Sequence, residues 1–159
     1  MTSELVVITG APGAEEWLPG TRVIPDAWRK QASLVGIHTA LNYARQSILV
    51  VAWDMPFVSR ALLELIADRS TKSSYATIPE SADDQLEPFC AVYTPECLPT
   101  IEGQLAADDL RLSRLLELLP SYERIPAGDF AQLGEPARLF FNVNTAEDLA
   151  LAEQMAAAG

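Results

Sequence analysis

Histidine occurs once in this chain, at His38, and cysteine only twice, at Cys90 and Cys97. A serine or cysteine nucleophile activated through histidine needs a partner base. His38 lies alone in a helical pattern and reads as a partly buried structural residue, so hydrolases of that type are set aside. Two cysteines cannot build a disulfide framework, and their spacing fits neither a zinc site nor a redox motif. They read as buried, reduced thiols. Basic residues are also scarce, 11 against 22 acidic ones, for a net charge of −11. Such a chain repels nucleic acid and anionic membranes. It would repel a nucleoside triphosphate too, unless a metal or a local cluster of donors offset the field. No apolar run approaches the length of a membrane span, and no basic region followed by an apolar signal core opens the chain. The expectation is a cytoplasmic protein. Neither repeats nor a low-complexity linker divide the 159 residues, which are expected to form one domain, 1–159, with a substantial core.

What is present is an alternation of strand and helix patterns. Leu5 to Thr9 predicts a first strand, followed by the loop Gly10-Ala-Pro-Gly13 and a short helical turn at Glu15-Glu16-Trp17. Arg22-Val-Ile24 predicts a second strand ending at Pro25-Asp26. From Ser33 to Arg45, Leu34, Ile37, Leu41 and Ala44 recur at helical spacing, with Ser33 as an N-cap. The β-branched run from Ser47 reads as a strand buried on both faces of a parallel sheet and ends at Asp54. A helix from Ser59 to Asp68, strands at Tyr75–Ile78 and Phe89–Tyr93, and helices over Cys97–Gln104 and Arg111–Leu119 follow. Glu123-Arg-Ile125 and Leu139-Phe-Phe141 are strand candidates, the second stronger than the first. Thr145-Ala-Glu-Asp148 is an aspartate variant of the capping box, opening a last helix. The pattern predicts a three-layer, Rossmann-like α/β fold with a mostly parallel sheet.

In open α/β sheets ligands sit beyond the carboxyl ends of the strands. Asp26 and Asp54 end two strands and would emerge at that edge together. A carboxylate there suits a hard divalent cation, and Mg²⁺ commonly arrives with phosphates; the alternative for Asp54 is capping a helix. Asn142 and Asn144 alternate along an extended segment and can face the same crevice, where amides suit a heterocycle or sugar. Their alternative is turn formation and capping of the final helix. Arg29 and Lys30 could reach an anion, or could simply be solvated. Carboxylates and amides without a nucleophile point to metal-assisted phosphoryl or nucleotidyl transfer.

Four segments together resemble the molybdenum cofactor guanylyltransferase (MobA-like) family of nucleotidyltransferases. They are Val6-Val-Ile-Thr-Gly10; Val23-Ile-Pro-Asp26 with Leu34-Val-Gly-Ile37; Val50-Val-Ala-Trp-Asp-Met-Pro-Phe57; and Phe141-Asn-Val-Asn-Thr145 with Glu147-Asp-Leu149. Glu87-Pro-Phe-Cys-Ala-Val-Tyr93 is similar to a late strand of that family. The resemblance implies a nucleotide-diphospho-sugar-transferase type of fold that binds GTP and Mg²⁺. It implies transfer of GMP to the molybdopterin-bound molybdenum cofactor, with pyrophosphate leaving. By position, Asp54 would coordinate Mg²⁺ and act as the catalytic carboxylate, Thr9 and Asp26 would contact the nucleotide, and Asn142 and Asn144 would fall at the pterin-side pocket. A related CTP or sugar-phosphate nucleotidyltransferase, or a non-catalytic binding relic, are the alternatives. Family members open with a further strand and a glycine-rich loop that this sequence does not show. The resemblance therefore implies an N-terminally incomplete domain, its activity in question as it stands, with a gap between the strands at Leu5 and Ile48. The sheet would then close across the gap, or self-association or a partner strand would fill it.

Overall fold

Alternation along one short strand sets the layering. In β5 (Cys90–Tyr93), Ala91 and Tyr93 enter one apolar cluster while Val92 and Cys90 enter another on the opposite side, as the two-residue period of a strand requires. The computed structural model describes residues 4–26, 32–70, 74–81 and 85–158. In it β5 pairs antiparallel with both β3 (Ile48–Val51) and β4 (Ala76–Pro79), and β4 pairs parallel with β6 (Glu123–Ile125), giving the order β3-β5-β4-β6. Three of these four strands therefore run one way and β5 runs against them. On one face pack α1 (Ser33–Ala44), α3 (Leu98–Ala106) and α4 (Leu112–Leu118), through Leu34, Ile101 and Leu115 among others. On the other lie α2 (Arg60–Arg69), the 3-10 segment Ala127–Leu133 and α5 (Pro136–Leu139), around Leu62, Phe130 and Leu139. The result is a three-layer α/β architecture.

A second sheet stands apart. β1 (Val6–Ile8) and β2 (Arg22–Ile24) pair parallel with each other. Among the described residues no strand pairs with the second edge of β1 or with the second edge of β3. The interruption falls where the resemblance implies a gap, and the described strands do not close across it. α1 packs against both β1 and β3, with Ile8 Cγ2 4.0 Å from where a Cβ on Gly36 would stand.

Three local expectations are corrected. β3, expected to be buried on both faces of a parallel sheet, is only half-buried, with Val51 40% exposed, and its described partner, β5, runs antiparallel to it; its apolar run exceeds the cover that the described elements give it. Leu139-Phe-Phe141 is not a strand. Pro136 starts a helical turn there, as proline favours at a first helical position, and Phe140 meets Phe130 edge-on at 5.9 Å. Ser33 does not cap α1: Ala32 holds the cap position with extended backbone and no side-chain bond, and its carbonyl accepts from Val35 and Gly36. The capping box of α6 (Ala146–Ala157) is present in both halves, Thr145 with Asp148.

Both cysteines are buried and free, and burial pushes each thiol up to about 12, so they stay protonated and unreactive. His38 is buried on α1 with Nε2 3.1 Å from the Asn42 amide. No helix among the described residues is long and apolar enough to cross a membrane.

Candidate active site at the strand exits

The carboxyl end of β3 continues its ladder for one residue, Ala52 N–H donating to Phe89 O at 2.8 Å. The chain then turns sharply: Met55 N–H closes back on Ala52 O at 3.4 Å and the Met55 side chain is buried, so that Trp53 and Asp54 are the two central residues of the turn. Pro56 ends any ladder pairing. Ser59, not Asp54, caps the helix that follows, accepting from Leu62 N–H at 3.2 Å. The capping alternative for Asp54 is thereby removed.

Asp54 is held by its own main chain. Its carbonyl accepts from Val143 N–H at 2.9 Å, which ties the β3 exit to the Asn142-Val143-Asn144 segment. Phe57 and Phe141 meet beside this link with centroids 6.4 Å apart, and the Arg138 guanidinium lies 5.1 Å over the Phe57 ring. That guanidinium also donates to Met155 O at 2.9 Å. Asp54 and the two asparagines, 88 and 90 positions apart in sequence, thus share one locality.

The Asp54 carboxylate itself is only partly matched. Its Oδ1 is buried with no hydrogen-bond partner, a condition that native structures rarely tolerate without a ligand, water or ion. An oxygen donor in that state fits a hard cation such as Mg²⁺, which takes one or two protein carboxylates and completes its shell from water and phosphate. Among the described residues no three His, Cys, Asp or Glu side chains gather into a ready-made cage.

Asn142 donates from Nδ2 to Phe140 O at 3.3 Å, a local bond that fixes its side chain beside the link. Asn144 does not cap α6 with its side chain. Instead its backbone N–H donates to Asp148 Oδ2 at 3.0 Å, leaving the amide exposed. Hydrogen bonds from Asn144, first, and Thr145 hold the Asp148 carboxyl below its ordinary range.

A second exit lies at β1 and β2. Thr9 N–H donates to Ile24 O at 3.1 Å, and the Thr9 hydroxyl accepts from Ala11 N–H at 3.2 Å. Asp26 accepts from the Gly10 backbone; burial nonetheless raises its pKa, the desolvation outweighing that hydrogen bond. Thr9 and Asp26 are therefore neighbours through Gly10. Gly13 takes a left-handed conformation (φ 78°) to open the 3-10 turn Ala14–Glu16, which delivers Trp17. Trp17 stacks on Trp53, with centroids 5.5 Å apart and planes 10° from parallel. That stack joins the two exits. Arg29 and Lys30 lie outside the described residues.

Two groups on the same rim escape the sequence reading. The apolar pattern absorbs Trp53 into the strand, yet its side chain is 87% exposed; its place one residue before the exit carboxylate is the available signal. Glu80, which follows β4, is buried in an ion pair with Arg124. Nothing in a run of acidic loop residues distinguishes it.

With the geometry in place, the comparisons with known proteins are direct. Residues 1–125 match the family described as "MobA-like NTP transferase domain". A probable molybdenum cofactor guanylyltransferase of Pelotomaculum thermopropionicum is 32% identical, over 95% of this chain and 73% of the relative. The crystal structure of molybdopterin-guanine dinucleotide biosynthesis protein A from Archaeoglobus fulgidus superposes with a TM-score of 0.83 at 28% identity, covering 97% of this chain and 79% of that one. The 2-C-methyl-D-erythritol 4-phosphate cytidylyltransferase of Thermus thermophilus shares the fold at a TM-score of 0.61 and 19% identity, covering 98% of this chain and 82% of that one. The nucleotide-diphospho-sugar-transferase type of fold is thus the one observed, and the chain belongs to the MobA-like nucleotidyltransferase family, that of the molybdenum cofactor guanylyltransferases.

Proposed function

We propose that this chain, as one domain over residues 1–159, transfers GMP from GTP to the molybdopterin-bound molybdenum cofactor with release of pyrophosphate. The observation that carries the reading is the bond from Val143 N–H to Asp54 O. It joins the main chain of Asp54, whose Oδ1 is buried and unmatched, to the segment that carries Asn142 and Asn144, and this supports the reading in a chain of this family. Asp54 is the metal ligand and catalytic carboxylate. Mg²⁺, when bound there, supplies charge neutralisation for the triphosphate and its leaving group. The protein orients the reactants, which is most of what such transfers ask of it.

Thr9 and Asp26 contact the guanine nucleotide from the β1/β2 exit. Asn142 and Asn144 serve the pterin side, where an amide's paired donor and acceptor match a heterocycle's edge. The chain works in the cytoplasm and engages neither nucleic acid nor membrane, as its net charge of −11 favours. The edges of β1 and β3 that no described strand covers are suited to a pairing strand, from self-association or a partner.

Calorimetric titration of GTP with and without Mg²⁺ tests the assignment. Binding that requires both is the expected result; equal heats with CTP would move the reading to a cytidylyl or sugar-phosphate donor, binding without turnover would leave a non-catalytic relic, and no binding of any nucleotide would defeat the assignment. Substituting Asp54→Ala is expected to abolish metal-dependent turnover while leaving the circular dichroism spectrum unchanged. Near-normal turnover in that variant would remove Asp54 from the mechanism.

A further inference from the structure

Trp53 is poorly explained by folding. At 87% exposed it buries little surface, and in the same turn Met55 does the packing. A pair of exposed indoles beside a candidate site is the kind of surface that proteins use for contact with a ligand. Trp53 is nevertheless not loose. Trp17, itself 48% exposed, lies flat against it at 5.5 Å. That spacing is direct stacking, with no room for a third ring between the two indoles. One face of Trp53 is therefore supported and the other is open.

Its position is the second observation. Trp53 directly precedes Asp54, whose Oδ1 is buried and unmatched, and Trp17 lies beyond the exit of β1, whose loop brings Gly10 to Asp26. The indole pair thus links the carboxylate proposed to hold the metal with the strand exit proposed to meet the nucleotide. A chain with 22 acidic residues against 11 basic ones gains little from long-range attraction for a polyanion. Stacking on a neutral, flat ring gives affinity without any cation.

We propose that Trp53, supported from behind by Trp17, is the stacking platform for the nucleobase, and that its large indole favours a purine over a pyrimidine. This deepens the nucleotidyltransferase reading and rests on it. Trp53 is a specificity-determining residue for the donor nucleotide, while Trp17 is a positioning residue that acts only through Trp53.

The test is a fluorescence and calorimetric titration of the Trp28→Phe chain, which leaves Trp17 and Trp53 as the emitters, with GTP, CTP and inorganic triphosphate in the presence of Mg²⁺. GTP is expected to quench the emission, CTP to quench less, and inorganic triphosphate not at all. Trp53→Ala in that background is expected to weaken GTP binding roughly 5- to 100-fold, the range base–aromatic stacking supports. Inorganic triphosphate binding should stay unchanged and Trp53→Phe should recover most of the loss. Trp17→Ala should give a smaller loss of the same kind. GTP binding unchanged by Trp53→Ala overturns the platform and leaves the transferase reading intact. Failure of the parent chain to bind any nucleotide defeats that reading instead. Emission that follows protein concentration rather than nucleotide assigns the indoles to a contact between copies, and also overturns the proposal.

Discussion

The two sheets of this molecule are built to different standards. In the four-stranded sheet β4 and β5 are buried at every position, and helices cover both faces. In the two-stranded sheet every residue of β1 is only half-buried, Arg22 of β2 is exposed, and the pairing is parallel between three-residue strands. Parallel strands usually occur with both faces covered, and two strands alone are marginal. The larger sheet therefore carries the stability. The smaller one carries Thr9 and Asp26, two of the residues proposed to meet the nucleotide. Regions that rearrange around ligands are commonly drawn from the less stable part of a fold, and here that part and the proposed nucleotide side coincide.

Truncating one side chain in each region gives the widest separation. Phe130→Ala, in the fully buried cluster behind the four-stranded sheet, is expected to cost about 3–5 kcal/mol. Val7→Ala in β1, half-buried, is expected to cost about 1 kcal/mol. Urea denaturation followed by circular dichroism measures both. Equal losses would mean that the two sheets unfold as one body and would end the contrast.

Amide hydrogen exchange sharpens the same comparison without a mutation. The amides of Ala91 and Val92 should exchange only through global unfolding, whereas those of Val7 and Ile8 should exchange orders of magnitude faster through local opening. Adding GTP with Mg²⁺ should slow the second group selectively, because a ligand stabilises the states it binds. Protection spread evenly over both sheets would place the ligand elsewhere.

The two regions also differ in how much the sequence discloses. β2 is legible to the residue, and α1, α2 and the capping box of α6 lie within a residue or two of their patterns, because periodicity and capping are local properties. The exit position of Asp54 is legible for the same reason: an apolar run stopped by proline. Which strand pairs with which is not local. β3 reads as a strand of a parallel sheet from its side chains, yet its described partner is the antiparallel β5, and no hydropathy pattern reports the direction of a neighbour. Leu139-Phe-Phe141 misleads differently: short apolar runs suit strand and helical turn alike, and Pro136 decides between them. The Trp17–Trp53 stack is beyond reach, since it joins loops on separate sheets.

Peripheral elements should respond least in the core and most in their own frame. Thr145→Ala removes one half of a capping box on α6, a helix whose only buried residue is Ala152. The cost is expected at about 1 kcal/mol, read as a lower denaturation midpoint. Thr145→Asp, which can accept from Asp148 N–H only against a like charge, should recover less than Thr145→Ser.

The smallest expected effect lies on the smaller sheet and has a sign that identifies its cause. Burial raises the Asp26 carboxyl above its ordinary value of 3.8, against the lowering by the Gly10 hydrogen bond. Between that value and the raised native one, the folded protein binds more protons than the unfolded chain, so stability falls as pH rises through this window. Above it the burial of a charged carboxylate is a standing cost. Asp26→Asn keeps an oxygen that can accept from Gly10 and carries no charge. It should therefore be slightly more stable than the native chain at pH 7, with the difference closing below pH 3.8. Urea midpoints at the two pH values measure it. A variant that instead loses stability at pH 7 would show that the Gly10 contact outweighs burial, and that the β1/β2 exit is held by the charge rather than strained by it.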